Sequence, residues 1–387
     1  MIWICLTLAG VSLAIALPLS GLLVRAGHRW GWLDAVGAER HKRHEQPVPN
    51  TGGVAIFTAV ALPLALALLA VWLMPLETWQ RYLPAMAVEL PGLRSMTAIG
   101  GGVLTAMAVI HLVGLVDDRR ALGAMIKLTA QTCIALALVV LCDMRVLTLL
   151  DDYGVPGMAL SVVLSTVWVV AIVNAFNFLD NMDGLSAGVA AIIAALYLAA
   201  TLIGGQWFVA SLAALLLGAL VGFLAWNFPP AKLFMGDGGS LVVGLTLAVI
   251  SIRTTYFDMD VAASTGGGIA GDLSGGAWYG WLMPLIVMAV PLYDFTSVTL
   301  IRLSQGRSPF RGDHNHFSHR LVKQGLSRRR AVGVIWLCTL ATGLSGVMLG
   351  SLAAWQALLA GAQTVAVLAV LAVLEHGAAR RRRSDEP

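Results

Sequence analysis

Residues 157–203 read GMALSVVLSTVWVVAIVNAFNFLDNMDGLSAGVAAIIAALYLAATLI. Two apolar runs flank a short polar island, and each run has about the 20 residues that a helix needs to cross a bilayer core. Backbone polar groups inside lipid must be satisfied within their own segment, so the runs predict spanning helices over 157–178 and 185–203. The polar residues around their junction, Asn174 and Asn177 at the end of the first span and Asp180, Asn181 and Asp183 after it, then lie at a membrane edge.

Working outward, the same hydropathy pattern places further spans at about 2–25, 53–74, 97–116, 124–142, 207–226, 239–254, 279–301, 331–352 and 355–374, eleven in all with the first two. The expected fold is an all-α polytopic integral membrane protein, a single transmembrane catalytic domain over 1–378 followed by a basic tail over 379–387. Composition agrees: of 387 residues 58% are apolar and 12% charged, against about a quarter charged in soluble domains. So little polar surface excludes a soluble enzyme, a disordered chain and a disulfide scaffold. Cys5, Cys133, Cys142 and Cys338 form no CxxC pair and read as packing residues. The N-terminal run has no basic residue before Arg25, which predicts a retained first span in place of a cleaved signal.

An odd number of spans puts the termini on opposite sides. With the tail of Arg380, Arg381, Arg382 and Arg383 in the cytoplasm, 21 of the 25 Lys and Arg fall on inner loops, inner helix ends or the tail. Only Arg81, Arg94, Arg145 and Arg253 lie outside. The N-terminus is thus expected outside and the C-terminus inside. The same assignment gathers His44, Asp117 and Asp118, Asn174 to Asp183, Asp237, and His314 to His319 on the inner face, as one site built from five separate segments.

Each segment admits a plain reading beside a chemical one. Adjacent Asp117 and Asp118 raise the proton affinity of one another unless a cation sits beside them, yet Arg119 and Arg120 would also neutralise an ordinary exposed helix end. Lys127 either holds an anion or snorkels to headgroups. Asn174, Asn177 and Asn181 share one helical face, but Asp183 would lie about 180° from Asn174 on an unbroken helix, so a helix ending near Phe178 is expected. Otherwise the island is a polar loop that caps the next helix. Asp237 follows Gly236 and precedes Gly238 and Gly239, where helix-start amides can face an anion or the Asp can cap the helix itself. Converging carboxylates suit a hard cation such as Mg²⁺, with Mn²⁺ as an alternative. His314, His316 and His319 lack Cys partners and stand near Arg311 and Arg320, which favours an anion pocket over zinc.

In order, HKRHEQPVPNTGG (41–53), GLVDDRRALGAMIKLTAQ (114–131), NAFNFLDNMDGL (174–185), NFPPAKLFMGDGGS (227–240) and GRSPFRGDHNHFSHRL (306–321) resemble the polyprenyl-phosphate N-acetylhexosamine-1-phosphate transferases. The final loop is closest to the N-acetylglucosaminyl branch. The resemblance implies a Mg²⁺-dependent transfer of sugar 1-phosphate from a UDP-sugar to a polyprenyl phosphate, with UMP released, in a bacterial cytoplasmic membrane. It matches Asp117 and Asp118 to the family's paired aspartates, Asp180 and Asp183 to its central-loop aspartates, Asp237 to the FMGD aspartate and Lys127 to a motif lysine. Asn181 stands where many members have Gly, Ser318 where a middle histidine is usual, and His41 where an arginine is common.

The expected roles follow. Asp117, Asp118, Asp180 and Asp183 are catalytic candidates, and Asp237 with Asp183 the metal candidates. Lys42, His44, Lys127, Asn174, Asn177, Asn181, Gly236, Asp313, His316, His319 and Arg320 are substrate-binding candidates. The lipid bilayer is a partner, nucleic acid is not, and a homodimer is admitted. An ion-coupled transporter is the rival class, but it would want several ionisable groups near the midplane, where only His111 and Asp294 are deep. A CDP-alcohol phosphotransferase would need Ala-Arg after Asp183 and Gly184, which this chain lacks.

Overall fold

The computed structural model describes residues 1–31, 47–255, 281–308 and 316–384. Among them there is no strand. The long helices are α1 (Ile2–Trp30), α2 (Gly52–Leu73), α5 (Thr97–Arg119), α6 (Ala124–Leu141), α7 (Gly154–Leu179), α8 (Leu185–Ile203), α9 (Trp207–Asn227) and α10 (Asp237–Thr255). Short helices α3 (Leu76–Tyr82) and α4 (Pro84–Ser95) join α2 to α5. The chain continues through α11 (Leu282–Val287), α12 (Ala289–Ser304), α13 (Phe317–Lys323), α14 (Arg328–Val347) and α15 (Ala354–Ser384).

Ten of the described helices are long and apolar enough to cross a membrane. The expected eleventh, 279–301, is divided: α11 stops at Val287, Met288 leaves helical geometry with ψ 16°, and α12 begins at Ala289. Neither half alone reaches spanning length, so this segment is not among the ten; end to end, α11 and α12 run over 282–304 with one break, long enough to cross as one interrupted span.

Helix association in lipid gains little from the hydrophobic effect and relies on close packing of small residues. On α9, a Cβ at Gly218 would fall 2.1 Å from the Ala9 carbonyl oxygen, and one at Gly222 would fall 2.8 Å from the Ala16 Cβ, so these glycines admit α1. Ser12 of α1 adds a 2.6 Å hydrogen bond to the Leu215 carbonyl. At the centre stands α10, whose apolar window is 89% buried, against 17% for α1 and for α15. It packs against α7, α5, α2, α8 and α9. The cysteines are unpaired; Cys5 is packed in the core, whereas Cys133 is exposed and is no packing residue.

Candidate active site

Helix ends meet at one end of the bundle, and each polar side chain there is placed by a specific local cause. At the end of α5, Asp117 and Asp118 are successive helical residues and point about 100° apart. Asp118 turns toward the start of α10. Its Oδ1 accepts the Asp237 N–H at 2.8 Å, its Oδ2 accepts the Gly238 N–H at 3.0 Å, and Asn50 Nδ2 donates to Oδ1 at 3.1 Å. The free amides of a helix start carry partial positive charge. A carboxylate from another helix therefore caps α10, and Asp237 is spared that task. The approach needs two glycines: a Cβ at Gly114 would sit 2.5 Å from the Asp237 carbonyl, and one at Gly236 would sit 2.6 Å from both Asn50 Oδ1 and Asp118 Oδ2.

Asp117 turns the other way. Its Oδ1 accepts the Leu122 N–H at 2.7 Å and its Oδ2 receives Lys127 Nζ at 3.0 Å. The same ammonium donates to Asp237 Oδ2. Asp237 Oδ1 accepts from Asn177 Nδ2 at 2.8 Å, and that amide also reaches Ser240 Oγ at 3.0 Å. Two neighbouring helices and one remote in sequence thus place two carboxylates on one cation. All three side chains are largely buried but keep 15–24% exposure, enough to meet a ligand from the aqueous side.

The expected helix break is present. α7 ends at Leu179, Asp180 to Asp183 form a turn, and Gly184 takes φ 72°, a left-handed conformation suited to glycine. The asparagines then diverge in partner: Asn174 donates to Gln131 Oε1 at 2.6 Å, Asn177 to Asp237, and Asn181 Oδ1 accepts from Ser318 Oγ at 2.6 Å. One helical face laces α7 and its turn to α6, α10 and α13. Asp183 Oδ2 accepts the Ala231 N–H at 3.0 Å, tying the turn to the segment before α10, while Asp180 is half-buried in the same turn.

On the far side, His316 Nδ1 lies 3.0 Å from Asp294 Oδ2, and Arg320 Nη2 donates to Ser297 Oγ at 2.9 Å. His319 stands with its ring centroid 6.3 Å from that of His316. Lys42, His44 and Asp313 lie outside the described residues.

Sequence reasoning passed over Asn50, Gln131 and Ser240. Gln131 had a signal, since it follows Lys127 by four residues and shares its helical face. Asn50 had only its place in a quoted motif. His111, noted for its depth, bonds the Gly238 carbonyl through Nδ1 at 2.8 Å and stacks on Phe57 at 4.4 Å, so it supports the start of α10.

A membrane-embedded helical bundle with buried carboxylates at one polar end is the class that fold and site define. Comparison with known proteins narrows it. Residues 101–255, from α5 to α10, match the family described as Glycosyl transferase family 4. The chain is 34% identical over 365 residues to the decaprenyl-phosphate N-acetylglucosaminephosphotransferase of Mycobacterium tuberculosis, covering 88% of this chain and 82% of that one. It is 28% identical over 356 residues to the probable undecaprenyl-phosphate N-acetylglucosaminyl 1-phosphate transferase of Bacillus subtilis, covering 90% and 86%. An undecaprenyl-phosphate alpha-N-acetylglucosaminyl 1-phosphate transferase of Escherichia coli is 25% identical, covering 79% and 74%. The chain belongs to the polyprenyl-phosphate N-acetylglucosamine-1-phosphate transferase family.

Proposed function

We propose that this protein transfers N-acetylglucosamine 1-phosphate from a UDP-sugar to a polyprenyl phosphate at the cytoplasmic face of a bacterial inner membrane, releasing UMP. The observation that carries the reading is the meeting of Asp117, Lys127 and Asp237 at one polar end of the bundle. A charged water-soluble donor and an acceptor with a hydrocarbon tail can meet only where lipid borders water, and there the helix ends stand.

Phosphoryl transfer asks the protein for alignment and charge neutralisation more than for covalent chemistry. Among the described residues no three His, Cys, Asp or Glu side chains are grouped to hold a metal. Mg²⁺, however, takes one or two carboxylates and completes its shell with water and phosphate oxygens. The oxygens of Asp117 and Asp237, already converging on a cation, fit such an open site. Asp237 would hold the ion, which would neutralise diphosphate oxygens; Mn²⁺ is the alternative hard cation. Asp117 orients the acceptor phosphate and takes its proton, whose second ionisation lies near pH 6. Lys127 offers its ammonium to phosphate oxygens, and Asn177 holds the Asp237 carboxylate in place. Asp118 keeps α10 docked. Asp180 and Asp183 lie on the adjoining turn to meet the donor.

The test is exchange of labelled UMP into UDP-N-acetylglucosamine by the purified protein. Exchange that requires polyprenyl phosphate and stops on chelation of divalent ions is the expected result, with Asp237→Asn inactive. No exchange from folded protein with any common UDP-N-acetylhexosamine would reject the reading.

A further inference from the structure

Asp294 sits in the middle of α12 and is 0% exposed, with Val290 and Val298 buried one turn to either side. An ionisable group in a spanning segment is expensive, and its neighbours show what holds it there. Its Oδ1 accepts the Phe317 N–H at 2.6 Å, and its Oδ2 meets His316 Nδ1 at 3.0 Å. A neutral amide would satisfy the Phe317 N–H equally well. What a carboxylate adds is that it only accepts, so the proton of the facing imidazole must be on Nδ1.

The other ring nitrogen is thereby defined. No hydrogen bond to His316 Nε2 is formed among the described residues, and the residue keeps 6% exposure. The ring stands edge-on to Phe178 with centroids 5.9 Å apart, two residues before Asp180. Close by, Ser318 Oγ donates to Asn181 Oδ1, clasping α13 to the turn that carries Asp180 and Asp183.

We infer that Asp294 is a positioning residue for sugar-phosphate transfer: it fixes His316 with its proton on Nδ1 and presents Nε2 as a hydrogen-bond acceptor beside the Asp180–Asp183 turn. The inference rests on the proposed function for its link to turnover, but its structural half stands apart from it. Asp294→Asn keeps the shape and the acceptor for Phe317 N–H while turning a donor toward His316, which drives the imidazole proton to Nε2.

The full chain in lipid nanodiscs, labelled with ¹⁵N-histidine, reports the tautomer directly, the His316 signals being those lost in His316→Asn. Wild type is expected to show a protonated Nδ1, and Asp294→Asn a protonated Nε2; the same tautomer in both proteins would overturn the assignment. In the transfer assay Asp294→Asn should lower kcat by at least about tenfold with KM for both substrates held within about twofold. His316→Asn retains a donor at the Nδ1 position and has nothing at Nε2, so in that background Asp294→Asn should change kcat by less than about twofold. An equal loss in both backgrounds would mean that Asp294 only supports the fold. Failure of wild-type transfer would reject the proposed function and leave the tautomer measurement to decide the positioning claim.

Discussion

Asp117 and Asp118 are neighbours in sequence and have different work. Three donors converge on Asp118, two of them amides that open α10, and hydrogen bonds to a charged group contribute about 1.5–3 kcal/mol each. Asp118→Asn sets an amide donor against one of those N–H groups and should cost about 1–3 kcal/mol, read as a lower Tm in detergent together with lost activity. Asp117→Asn still accepts from Leu122, and Lys127, which its amide donor would face, keeps Asp237 as partner, so it should lower Tm less than Asp118→Asn while turnover falls at least about 100-fold. Equal stability losses in the two variants would contradict this division. The sequence marked the pair as reactive carboxylates. It could not tell them apart, because the distinction depends on which helix each one faces.

At the scale of elements, the site depends on how closely α5 approaches α10. Gly114→Ala puts a methyl group against backbone that cannot rotate away, and overpacking of this kind costs about 1–3 kcal/mol. It should lower both Tm and kcat by moving the Asp pair away from Asp237. Gly101→Ala lies on the same helix, where a Cβ meets nothing within 4 Å, and should leave activity unchanged and Tm equal or higher. A harmless Gly114→Ala would show that the close approach is dispensable. Helix positions and the break after α7 were legible, because spanning length and a 3.6-residue period are local properties. The division of 279–301 was hidden, since hydropathy is blind to a single non-helical residue such as Met288. Partner choice along the asparagine face was hidden too: spacing told that Asn174, Asn177 and Asn181 share a side, and only packing assigns Gln131, Asp237 and Ser318 to them.

For the molecule as a whole, the charge asymmetry predicts that the Asp117 end faces the cytoplasm. In a variant with its native cysteines replaced by serine, a cysteine at exposed Asp152 should react with a membrane-impermeant maleimide on intact cells, and one at exposed Arg328 only after lysis. The reverse pattern would invert the topology and place the site on the wrong side for a cytosolic nucleotide sugar. The central burial of α10 also separates two kinds of environment. Changes of bilayer thickness or lipid type should act first on α1 and α15, the least buried of the ten, while Asp237 begins a helix enclosed by α2, α5, α7, α8 and α9. Evolution can accordingly retune the outer helices to a new membrane one residue at a time. Any drift along α10 demands matching change in several neighbours at once, so the innermost helix is the part of this protein that history is least free to rewrite.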